Sequence, residues 1–222
     1  MVTKIKTEGI SKGKAHIQYR LADGTRVVGV TTALSILAKP ALVRWANNLG
    51  LQGIDSSKYV DALADIGTLA HAMIEAEIKG EQPDLSCYSP EQVSLAENCL
   101  LSWYALCKGR TIEPILQEAP LVSEAHGYGG TVDFYGKIDG VLTLADIKTS
   151  KAIYSEHRTQ TVAYRQLLIE NGYPVDDVRI FRVGRDESEA WEDHGVTMIE
   201  EHWQLFTHAL AIYRLQQRLN KG

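Results

Sequence analysis

Cysteine is scarce in this chain, long apolar runs are missing, and there is no surplus of basic charge. The three cysteines, Cys87, Cys99 and Cys107, fall in one short stretch. Their spacing fits no zinc motif, and an odd number argues against a disulfide framework. Reduced, mostly buried thiols are expected. An iron–sulfur cluster held in the usual way needs four thiolates, so none is expected. No apolar run approaches the roughly 20 residues of a membrane helix. The N-terminal stretch MVTKIKTEGISKGKAH lacks the apolar core of a signal peptide. A cytoplasmic location without a membrane partner is the expectation. Net charge is −5 and the sequence pI about 5.8, which excludes a generally basic nucleic-acid coat and leaves room for a local basic track only. Its candidates are Lys4, Lys6, Lys12 and Lys14, then Lys148, Lys151, Arg158 and Arg165, then Arg179, Arg182 and Arg185. Each of these, taken alone, reads as a solvated face.

What is present is an ordinary globular composition, with 45% hydrophobic and 23% charged residues over 222 positions. No repeat or low-complexity linker divides the chain, so residues 1–222 are expected to form one domain, with a hairpin and helical part over 1–110 and a core over 111–222. KAHIQYRLADGTRVVGV reads as a hairpin turning near Asp23-Gly24. TTALSILA and PALVRWANNLG read as short helices, the second opened by Pro40. SSKYVDALADIGTLAHAMIEAEIKG reads as a long helix capped by its leading Ser and stopped by Gly80. SPEQVSLAENCLLSWYALCKG reads as another, with Ser89 as cap, Pro90 at its first position and a buried stripe of Leu95, Cys99, Trp103 and Leu106. TIEPILQEAPLVSE is extended. HRTQTVAYRQLLIENG is helical, DVRIFRVGR and GVTMIE are strands, and a helix from Glu200 closes the chain. The order predicts a mixed α/β fold with helices on both faces of a mixed sheet.

The stretch TVDFYGKIDGVLTLADIKTSK, residues 131–151, stands out. Asp139-Gly140 between alternating runs is a strong signal for a type I′ hairpin, whose two central residues need φ > 0. A two-residue loop sets Ile138 across from Val141, Tyr135 from Leu144, and Asp133 from Asp146. Opposed carboxylates about 5 Å apart repel each other, and a cation with oxygen ligands turns that repulsion into attraction. Lys148 shares the face of Asp146. With a three-residue loop Asp133 would instead slip opposite Ala145, unless a bulge restored the pair. Elsewhere, His71 and Glu75 lie four apart on one helical face, as do Gln160 and Tyr164. Glu118 lies in the strand before the hairpin.

These residues follow an order: G-T-x-x-H on a helix, Glu, G-G-T-x-D, D-I-K-T-S, then Q-x-x-x-Y. From Gly67 to Tyr164 the chain resembles the RecB-like branch of the PD-(D/E)XK nuclease superfamily. The likeness is to phage exonucleases, the mitochondrial genome maintenance exonuclease and CRISPR-associated RecB-like nucleases. VTTALSILAKPALVRWA is also similar to the N-terminal segment of the phage members. The resemblance implies a restriction-endonuclease-like core. It implies metal ligation by His71, Asp133, Asp146 and the backbone carbonyl of Ile147, with Lys148 positioning or helping to deprotonate the attacking water. Glu118 would support the metal or water network. Gln160 and Tyr164 would hold the DNA backbone or order the site, Thr149 and Ser150 could donate to a phosphate, and Thr68 would orient His71, with Glu75 in support. The cysteine set of iron–sulfur members is missing here.

The expected function is therefore a Mg²⁺- or Mn²⁺-dependent DNA exonuclease acting on single- or double-stranded ends in replication, recombination or repair. A bacterial cytosol, or a host cytoplasm for a phage-encoded protein, would be its setting, with a recombination or replication protein as a conceivable partner. The alternatives are a flap or branch endonuclease and a catalytically silent DNA-binding recombination partner.

Overall fold

The computed structural model describes residues 17–186 and 188–221; the lysines at 4, 6, 12 and 14 lie outside them. In chain order the elements are β1 (Val28–Gly29), α1 (Val30–Leu34), α2 (Pro40–Leu51), α3 (Ser56–Lys79), α4 (Pro90–Cys107), β2 (Ile112–Ser123), β3 (Tyr128–Ile138), β4 (Val141–Lys148), α5 (Ser155–Glu170), β5 (Asp177–Arg182), β6 (Glu192–Gly195) and α6 (Ile199–Leu219). The fold is mixed α/β, a six-stranded mixed sheet flanked by helices. β2–β3, β3–β4 and β5–β6 are antiparallel, whereas β1–β3 and β4–β5 are parallel, and α5 makes the crossover that the β4–β5 pair requires.

The strand periodicity divides the core between the two faces. Leu144 and Ile180 join Tyr128, Val132 and Tyr135 beneath α1, α5 and α6. The alternate residues Ala145, Ile147, Phe181 and Val183 join Phe134 and Ile138 beneath α3 and α4. In β3 this alternation slips by one residue at Asp133, since Val132 and Phe134 face opposite layers.

Local chemistry explains the helix ends. Ser89 and Gln92 form a reciprocal capping box at the start of α4. The cap of α3 is Asp55, which accepts from the amides of Ser57 and Lys58, and not the expected Ser. Leu95 is only half-buried and Ala96 takes its place in the α4 stripe. The first hairpin is cut short: beyond the Arg20–Arg26 bridge the chain leaves its partner, and Val28-Gly29 pairs parallel with β3. The predicted helix TTALSILA starts at Val30 and ends at Leu34, where Ser35 donates its hydroxyl to the Thr32 carbonyl at 2.8 Å. GVTMIE is not a strand. The edge strand is the preceding Glu192–Gly195, polar enough to face solvent, and α6 already begins at Ile199.

Candidate active site

The hairpin turn is the two-residue form, with φ of +51° at Asp139 and +85° at Gly140. Ile138 lies across from Val141 and Tyr135 from Leu144, and pairing continues to Phe134–Ala145. One pair further the register brings Asp133 to the level of Asp146, and there the ladder opens. β2 occupies one edge of β3 from Ile138 to Tyr128. The other edge is shared by β4 near the turn and β1 at the far end, which leaves 130–133 unpaired between them. Into this gap Asp133 turns its carboxylate, whose Oδ2 accepts from the Ile147 amide at 2.8 Å.

On the β2 side, Glu118 interrupts the ladder opposite Asp133. Its φ of +43° is a left-handed conformation for a side-chain-bearing residue, a strain of about 1–3 kcal/mol that surrounding contacts must hold. His71 supplies one such contact. Its Nδ1 lies 3.0 Å from Glu118 Oε1 and 3.7 Å from Asp133 Oδ1, and its Nε2 lies 3.1 Å from the Ile147 carbonyl oxygen. Both ring nitrogens therefore face acceptors, which only the doubly protonated imidazolium can satisfy as donor. The pKa of His71 is raised accordingly: burial lowers it, but Asp133 and the Glu118 hydrogen bond more than offset that.

Ligand atoms of His71, Glu118 and Asp133 all lie within 4.8 Å of one another. The Ile147 carbonyl stands beside them through its contact with His71. Asp146 is fully buried and adjoins this group, with Lys148 Nζ 2.7 Å from its Oδ2. That contact is a close ion pair of poor hydrogen-bond geometry, because neither Asp146 oxygen has an aligned donor among the described residues. Burial, outweighing Lys148 and aided by Asp133, pushes the Asp146 carboxyl up to about 6. Lys148 is held charged: burial lowers its pKa, but Asp146 and Asp133 raise it further. Two carboxylates, an imidazole and a carbonyl, next to a buried carboxylate, make a donor set compatible with a divalent cation.

The remaining expected residues surround this group. Gln160 Nε2 donates to the Tyr164 hydroxyl at 2.8 Å, and burial beside Asp146 and Asp133 keeps that phenol protonated, its pKa well above the ordinary value. Thr149 follows β4, and Ser150 donates its hydroxyl inward to the Ala152 carbonyl at 2.8 Å. Thr68 lies one turn before His71 on α3. Glu75, one turn after it, pairs with Lys79 and not with the cluster. Of the later cations, Arg179 is tied to Asp177 and Asp193, and Arg182 to Glu192.

Residues outside the expected set also shape the site. A Cβ on Gly67 would sit 3.1 Å from Thr149 Oγ1, so this glycine lets α3 approach the end of β4. Gly129 and Gly130 each make room for a tyrosine: added Cβ atoms would lie 2.3 Å from the Tyr19 ring and 2.5 Å from the Tyr164 ring. Tyr19 also reaches Thr131 Oγ1 at 2.9 Å. His157 lies at the start of α5 with Nδ1 accepting from the Tyr154 amide. Burial, with the charges of Lys148, Lys39 and Arg158 adding to it, lowers its pKa to about 4.

No family model and no curated protein matches the chain. Among solved structures, it is similar to a provisionally named exonuclease from Eubacterium rectale, at 11% identity and a TM-score of 0.46 over 67% of this chain. That overlap spans 64% of the length of the Eubacterium protein. It is also similar to an alkaline exonuclease from Laribacter hongkongensis, at 12% identity and a TM-score of 0.36, covering 71% of this chain and 88% of that one. A structure of the same enzyme in complex with dAMP gives 13% identity and a TM-score of 0.36, with 72% and 89% covered.

Proposed function

We propose that this chain is a divalent-metal-dependent DNA nuclease of the PD-(D/E)XK type, acting as an exonuclease in replication, recombination or repair. The observation that carries the reading is the convergence of His71, Glu118 and Asp133 on one point, with the buried Asp146–Lys148 pair beside it. So many acids gathered around a single ammonium and an imidazolium cost folding energy, and metal chemistry gives that cost a purpose.

A bound Mg²⁺ or Mn²⁺ would polarise the scissile phosphoryl group and lower the pKa of the water that attacks it. His71, Glu118, Asp133 and the Ile147 carbonyl would hold it, with Asp146 as the adjacent further ligand. Lys148, held charged, donates hydrogen bonds to the water or the non-bridging oxygens and offsets the negative charge that develops in the transition state. Hydrolysis adds water at phosphorus and breaks one P–O bond, leaving a phosphate monoester and a hydroxyl. Gln160 and Tyr164 order the wall beyond Asp146. On an acidic protein the DNA backbone would be met by a local basic track that includes Lys148 and Arg158. The preference for ends follows from the ordered motifs shared with phage and mitochondrial exonucleases.

Digestion of end-labelled linear DNA and of covalently closed circles tests the proposal, run with Mg²⁺, Mn²⁺ or chelator. Linear DNA should be degraded with either metal, circles should survive, and Lys148→Ala should be inactive. Cleavage in chelator, or equal cleavage by Lys148→Ala, would refute the site. Cutting of circles would leave the site standing and reassign the enzyme as an endonuclease.

A further inference from the structure

Helix α6 carries two apolar faces, and the fold uses one. Phe206, Ala209 and Leu210 are buried against the sheet layer shared with α1 and α5. On nearly the opposite side, Leu205, Ile212, Leu215 and Leu219 stand 39%, 49%, 48% and 71% exposed. With the exposed His208 they occupy positions 205, 208, 212, 215 and 219, the alternating three- and four-residue steps of a heptad seam. A 3.5-residue repeat keeps such a ridge facing one partner helix along its length, here over about 21 Å. A helix that merely covers its own core needs no second ridge.

The charge along the same helix selects the partner. Its first turn carries Glu200 and Glu201, and its last turn Arg218, followed by Lys221; all four are exposed. A second copy of α6 laid antiparallel sets the acidic start of each helix against the basic end of the other. A parallel copy would oppose like charges at both ends. A twofold axis also presents the same patch to itself, which the self-matching ridge satisfies.

We infer that two copies of this chain associate through an antiparallel α6–α6 seam formed by Leu205, Ile212, Leu215 and Leu219. The seam lies on the face of α6 turned away from α5, so its formation does not depend on the nuclease reading above.

Sedimentation velocity on the full chain across a wide concentration range should show a monomer of 24.6 kDa giving way to a dimer. Ile212→Glu and Leu215→Glu, each at an exposed position, should remain monomeric with unchanged circular dichroism and melting temperature. Orientation is read by mixing Glu201→Cys and Arg218→Cys proteins under mild oxidation. The antiparallel seam predicts cross-links between the two variants and few within either. A monomer at every concentration, a dimer indifferent to both glutamates, or cross-links of like with like would each overturn the inference.

Discussion

Two charged clusters lie on the same sheet and are built on opposite terms. At the β5–β6 edge, Asp193 forms ion pairs with Arg110 and Arg179 at 2.7 Å each, and Arg179 also reaches Asp177 at 2.6 Å. Two guanidinium groups meet two carboxylates, so the charges balance. Where β3 and β4 part, Glu118, Asp133 and Asp146 crowd around His71 and Lys148. There a fully buried carboxylate lacks aligned donors and a glutamate is held in a left-handed backbone conformation. The first arrangement stabilises the fold as it stands; the second leaves an excess of acid, which the proposed divalent cation would offset. Balance marks architecture here, and imbalance marks chemistry.

The comparison is broken most severely by substitution within the unbalanced cluster. Asp146→Asn and Lys148→Ala should each lower cleavage by roughly 10²–10³-fold or more, the scale of losing one electrostatic contact made in the transition state. Both proteins should remain folded by circular dichroism. Persistent activity in both would place the chemistry elsewhere.

Metal should act on the same cluster and leave the other alone. Mn²⁺ at 100 times its Kd should stabilise the protein by about 2.7 kcal/mol, read as a rise in melting temperature. Asp133→Asn should erase the rise, whereas Arg179→Met should keep it. Arg179→Met itself should cost about 1–2 kcal/mol, the range for a partly exposed ion pair, with cleavage retained.

Acidity sharpens the contrast further. Asp146 has a folded pKa of about 6 against an ordinary 3.8. Its stabilising contribution in the metal-free protein is therefore complete below the unfolded value and is lost as pH rises from about 4 through 6. Asp146→Asn should flatten that part of the metal-free stability profile. Because His71 is also shifted upward and must shed its proton to bind metal, Mn²⁺ affinity should climb with pH and binding should release protons, measurable by calorimetry in buffers of different ionisation enthalpy. Affinity independent of pH would remove His71 from the ligand set. The smallest effect expected is from Glu75→Gln, which breaks a helix-surface pair with Lys79 and should leave the melting temperature almost unchanged.

The hairpin was legible because its information is local. Asp139-Gly140 dictates the turn, the turn dictates the register, and the register brings Asp133 level with Asp146. Ser89 and Gln92 likewise announce α4. What sequence reading missed is held by distant contacts. Nothing near Glu118 foretells its positive φ, which falls where the ladder breaks opposite Asp133 on another strand. Nothing near Val28 foretells a two-residue strand pairing parallel with β3. The edge strand Glu-Asp-His-Gly has no apolar alternation to mark it, which drew attention to GVTMIE instead. The glycines at 67, 129 and 130 read as motif letters until the side chains of Thr149, Tyr19 and Tyr164 show what they make room for.

Diffraction from crystals soaked in Mn²⁺, with anomalous maps calculated near the manganese edge, bears most directly on the account. A peak coordinated by His71 and Asp133, and lost in Asp133→Asn crystals, is the predicted result. An empty cluster under saturating Mn²⁺, or an ion seated at Asp193 instead, would contradict it.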